Sequence, residues 1–108
     1  MADFKDREKG FENKFAHDQE MQFRITARRN RLVGEWAAGL MGLTAEETDA
    51  YAKAVVQADF EEAGDEDVIR KVLGDLVAAD QDVDDAAIRT KLEEMTVEAR
   101  RQLIEATD

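Results

Sequence analysis

The chain has 108 residues, enough for one small domain and too few for a large multi-domain enzyme. Fifteen Lys and Arg stand against 26 Asp and Glu, a net charge of -11, which disfavours general nucleic-acid binding because phosphate repels such a surface. Cysteine and proline are both absent, which excludes a disulfide framework and thiolate metal sites and suits a reducing compartment.

The opening stretch, MADFKDREKG, lacks the apolar core of a secretory signal. No apolar run in the chain approaches the roughly 18 residues that span a bilayer. The expectation is a cytoplasmic protein with no membrane insertion. Charge is unevenly placed along it. Residues 1–31 carry eight basic and six acidic side chains (net +2), whereas residues 32–108 carry seven basic and twenty acidic ones (net -13). Such asymmetry marks a segment with a separate task.

That segment has a pattern of its own. At 100° per residue Phe4, Phe11 and Phe15 fall within about 40° of one another, so three of the five phenylalanines share one stripe. Charges alternate around them, through Asp3, Lys5, Asp6, Arg7, Glu8 and Lys9. Gly10 interrupts the stripe and costs about 1 kcal/mol relative to alanine in a helix. Fifteen such residues form a marginal helix in isolation. Either the segment is an extension of the first helix packed on the core, or it is mobile until a partner supplies a groove. Burying three Phe side chains gives about 5–9 kcal/mol gross, and ordering the segment takes back about 2–5. Useful affinity therefore needs more contacts, which Lys5, Arg7, Lys9 and Lys14 could make against acidic walls.

Helices are predicted for the remainder, from the abundance of Ala, Glu, Lys, Arg and Leu and an apolar spacing of three and four. The first long one aligns Met21, Ile25, Leu32, Val33, Trp36 and Leu40 and ends around Gly39–Gly42. Arg24, Arg28 and Arg31 make a basic stripe on it, either a solvated face paired with local acids or a contact for a nucleotide or other anion. Thr44 and Glu47 match a capping box that opens a second helix. Its inward face is Tyr51, Ala52, Val55, Val56 and Phe60, and Gly64 stops it. Asp65, Glu66 and Asp67 place negative charge at the positive end of a third helix, with Val68, Ile69, Val72, Leu73, Leu76 and Val77 inside. After the polar turn Asp80–Asp85, a fourth helix carries Ile88, Leu92, Met95, Ala99 and Leu103. Short connections between four helices predict an all-α four-helix bundle.

Catalytic chemistry is thinly represented, and no enzyme activity, metal or cofactor is expected. His17 is the single histidine and has no cysteine to act with. The GxxxxGK[ST] phosphate loop is missing. Asp80, Asp82 and Asp84 imitate the opening of a calcium loop, but its sixth and twelfth positions are Asp85 and Lys91 where glycine and glutamate are required. A charged helix start accounts better for these aspartates. The neighbours Glu61 and Glu62, and Glu93 and Glu94, point in different directions on helices and form no acid/base dyad.

The stretches KFAHDQEM (14–21), ARRNRLVGEWAAGLMGL (27–43) and YAKAVVQADFEEAGDEDV (51–68) resemble the alpha-proteobacterial zeta subunit, an inhibitor of the F-type ATP synthase. The resemblance is strong over residues 4–73 and rests on helical pattern beyond. It implies a four-helix bundle over residues 20–108 and an inhibitory segment over residues 1–19. In that family the segment becomes helical as it wedges into a catalytic interface of the ATPase head, beside the rotating central stalk. Carried over, the resemblance makes Phe4, Phe11 and Phe15 apolar anchors and Arg7, Lys9, Lys14 and Gln19 further partner contacts. It also implies a location on the cytoplasmic side, peripheral to the inner membrane. Two other classes remain open: an acidic helical adaptor working through the -13 body, and a small bundle binding nucleotide weakly at Arg24, Arg28 and Arg31.

Overall fold

Four of the helix boundaries are set by groups within a few residues of each end. Gly42 adopts φ 72, and from there its amide reaches the Gly39 carbonyl (3.2 Å) while the Leu43 amide reaches the Ala38 carbonyl (3.1 Å). This paired closure is the Schellman arrangement, which a residue without Cβ enters at no steric cost. Two residues on, Thr44 begins the next helix with both halves of the predicted capping box: its hydroxyl accepts from the Glu47 amide, and the Glu47 carboxylate accepts from the Thr44 amide (2.9 Å). Asp80 closes another helix with φ 60, directing its amide to Val77 and that of Gln81 to Leu76. An aspartate does there what glycine did at position 42. Asp84 then accepts from the Ala87 amide at 2.8 Å. That contact places Asp84 at the start of the next helix.

The computed structural model describes the backbone of residues 2–59 and 64–107, and the side chains of residues 19–59 and 64–105. Its elements are α1 (Ala2–Met41), α2 (Ala45–Ala58), α3 (Glu66–Ala78) and α4 (Asp85–Thr107). Among the described residues there is no strand. The fold is the all-α four-helix bundle that the pattern predicts, with α1 in contact with each of the other three helices.

Its core is Val33 and Ala37 of α1, Val55 of α2, Val68, Ile69, Val72 and Leu76 of α3, and Ile88 and Leu92 of α4. Trp36, Tyr51, Leu73 and Met95 pack on it half-buried. The predicted faces hold with three corrections. Leu40 and Val77 are exposed, Val77 by 57%. On α1 the buried stripe is centred instead on Val33, Gly34, Ala37 and Ala38, small residues that let α2 approach closely. At Gly34 an added Cβ would lie 2.8 Å from the Ala52 Cα. Finally, α2 ends at Ala58 with Asp59 as its cap, before the expected stop at Gly64, which has φ 95. Phe60, read as an inward residue, lies outside the described residues.

Candidate functional site

Helix lengths create an overhang. At 1.5 Å per residue the 40 residues of α1 extend for about 60 Å and the 14 residues of α2 for about 21 Å. This accounts for a molecule 66 Å long and only 27 by 21 Å across. The first buried side chain described on α1 is Ile25, and Val56 of α2 and Leu103 of α4 meet α1 near Arg24, Ala27 and Arg28. From there α1 continues as one helix to Ala2. Phe4, Arg7, Lys9, Phe11, Lys14 and Phe15 belong to this extension, and their side chains lie outside those described. Gln19, at its root, is exposed.

Arg24, Arg28 and Arg31 line one shallow groove of about 460 Å³, closed on its far sides by Val56 and Leu103. The stripe is thus a real surface, but two of its charges have local partners. Arg24 donates to Glu20 at 2.7 Å, one turn away. Arg31 donates to Asp49 of α2 at 2.7 Å, and Glu35 lies 4.0 Å from it. The Asp49 hydrogen bond raises the Arg31 pKa and, reciprocally, lowers that of Asp49. Arg28 forms no ion pair with a described residue.

Between the bundle end of α1 and the start of α3 lies a polar cluster that sequence reasoning missed. Arg29 is 11% exposed at its side chain and donates to the Asp65 carboxylate at 2.8 Å. It also donates twice to Asn30 Oδ1, from Nε at 3.1 Å and Nη2 at 2.9 Å. Asp65 is the N-cap residue of α3 by position, yet its side chain makes no capping bond, because Arg29 holds it. Among the described residues, Asn30 Nδ2 is a buried atom without a hydrogen-bond partner, as is Asp67 Oδ2 on α3. A buried donor without an acceptor costs about 1–3 kcal/mol. The signal available in the sequence was the spacing 30, 33, 34, 37, 38, which puts Asn30 on the buried stripe.

Beside Asn30 opens a cavity of about 490 Å³. Gln19, Gln22, Phe23 and Thr26 of α1 form one wall, and Val56, Asp59, Gly64 and Asp65 form the other. The cavity therefore sits where the α1 extension leaves the bundle. Among the described residues, no group of three His, Cys, Asp or Glu could hold a metal ion. Nor is any helix there long and apolar enough to cross a membrane.

Comparison with known proteins adds a family. A family model described as ATPase inhibitor subunit zeta matches residues 1–102. Among solved structures, a solution NMR structure is 49% identical, covering 80% of this chain and 98% of its own, with a TM-score of 0.71. No curated protein matches the chain.

Proposed function

The chain belongs to the ATPase inhibitor subunit zeta family, a family of regulatory proteins, and from that premise we propose that it blocks ATP hydrolysis by the F-type ATP synthase through residues 1–19. The observation that carries this reading is the continuation of α1 to Ala2, far beyond the last turns of α2 and α4. Residues 20–108 then form a compact handle, and the extension enters a catalytic interface of the ATPase head beside the central stalk. Phe4, Phe11 and Phe15 are its apolar anchors, and Arg7, Lys9, Lys14 and Gln19 supply polar and charged contacts. Like charge on the -13 body keeps the handle from nucleic acid, and the protein works at the cytoplasmic face, held to the membrane only through the synthase.

The block is directional. Hydrolysis turns the stalk so that the interface tightens around the inserted helix; synthesis turns it the other way and releases the helix. The inhibitor needs no chemistry of its own, as a pawl needs none. ATP hydrolysis by the synthase decides the matter, measured with the full chain and with a variant lacking residues 1–19. The full chain should inhibit and the shortened one should not, while both melt cooperatively. Inhibition by the shortened protein overturns the reading.

A further inference from the structure

We propose that the arginine groove, with the adjoining face of α4, docks an acidic segment of the protein that receives the α1 extension; the partner's identity rests on the inhibitor reading above. Among the described side chains, nine of the eleven Lys and Arg form an ion pair with a carboxylate. The other two, Arg28 and Arg100, are exposed, and both neighbour Leu103. Arg28 lines the groove with it, and Arg100 stands three residues before it on α4, on adjoining helix surface. Residues 32–108 carry a net -13. An acidic surface is therefore repelled over most of the body and drawn to this face.

The surroundings set the partner's other features. Ala27, Val56 and Leu103 give the groove apolar walls. Val97, 67% exposed, and Ile104, 52% exposed, lie three residues before and four after Arg100, so apolar surface continues over α4. An apolar side chain of the partner would release the water that covers it. The positive charge is strung out rather than gathered: Arg24 and Arg31 are about 10 Å apart along the helix axis, with Arg28 between them. Glu20 and Asp49 already engage the outer two, so a compact phosphate finds no cluster of free cations there. A row of carboxylates along a partner helix or strand matches this spacing. The groove begins at Arg24, five residues past Gln19, so a partner that encloses residues 1–19 brings its rim within reach. Charges at such a rim act mainly on association rate and salt dependence.

Surface plasmon resonance of the full chain on the synthase, over a salt series, reads this contact apart from inhibition. Arg28→Gln combined with Arg100→Gln should weaken binding by about tenfold, chiefly through slower association, and flatten its salt dependence. The melting temperature should hold, since neither arginine has an ion pair with a described residue to lose. Arg28→Lys with Arg100→Lys keeps the charge and should bind nearly as the natural chain does. Lys53→Gln, at an exposed pair on α2, should change affinity by less than about twofold. Undiminished binding by the Gln pair, or as large a loss in Lys53→Gln, overturns the proposal and leaves the inhibitor reading intact. Undiminished binding together with loss of ATP-induced resonance shifts at Arg28 would make the groove a nucleotide site instead. A chain that binds through these arginines without inhibiting sinks the inhibitor reading alone, and a natural chain that does not bind sinks both.

Discussion

Gly34 and Ala52 bring α1 and α2 into backbone contact. A Cβ on Gly34 would stand 2.8 Å from the Ala52 Cα, 3.2 Å from Val55 Cγ2 and 3.4 Å from the Ala52 Cβ. The nearest of these atoms is backbone and cannot step aside alone. Gly34→Ala gains about 1 kcal/mol of helix propensity, but forcing the helices apart costs about 1–3 kcal/mol. The net should be a loss of stability, with Tm lowered by several degrees. Gly74→Ala, in the middle of α3, puts a Cβ where no side chain or other helix among the described residues lies within 4 Å, and should stabilise by up to about 1 kcal/mol. Thermal melts of the two variants should therefore move in opposite directions.

Phe11→Ala combined with Phe15→Ala tests the extension without shortening it. If these rings are the anchors of the inhibitory segment, inhibition of the synthase should be largely lost. Two buried Phe side chains represent about 3–6 kcal/mol of gross binding energy. The melting temperature should stay close to that of the natural chain, because the bundle core begins farther along α1. Full inhibition by the double variant would contradict the anchor role.

The link between Arg29 and Asp65 joins α1 to the first turn of α3. Asp65→Ala should cost about 1–2 kcal/mol, less than a fully buried pair, because the carboxylate is 47% exposed. Loss of a helix cap contributes nothing to this figure, since the Asp65 side chain caps nothing. A double-mutant cycle with Arg29→Met isolates the pair; a coupling near zero would show that the two residues act separately.

Tyr51 is the sole tyrosine, so tyrosinate absorbance reports on it alone. Burial raises its pKa, and the hydrogen bond it donates to Asp75 (2.8 Å) and the charge of that carboxylate raise it further. The folded state thus holds the phenol proton more tightly than the unfolded one. The resulting stability is fully present below the unfolded value near 10 and is lost as pH rises above it. Absorbance should consequently appear together with the loss of helix at alkaline pH, not before it. Asp75→Ala should bring ionisation to lower pH while leaving it above the ordinary value, because burial is the larger cause.

Patterns confined to one helix or one corner were legible in the sequence. Thr44 with Glu47, glycine near position 42, and the faces of Val68–Leu76 and Ile88–Ala99 depend on spacing alone, and spacing is visible without partners. Contacts across the chain were not. Leu40 and Val77 have the right chemistry for a core, yet they are left 39% and 57% exposed. The importance of Gly34 depends on Ala52, eighteen positions away, and that of Asn30 on an arginine pinned by Asp65. The Phe stripe was readable as a stripe, and the arginines as a row. Only the fold showed that Arg24 and Arg31 are already paired while sharing a groove with Arg28.

The corner at Gly42 and Thr44 has a consequence for how the protein folds. The orphan carbonyls of α1 and the orphan amides of α2 are closed there by groups at most five residues away. The hairpin of these two helices fixes its own reversal without help from α3 or α4. Sequence separations this short carry little loop-closure entropy, and small helical bundles rich in them fold in microseconds to milliseconds.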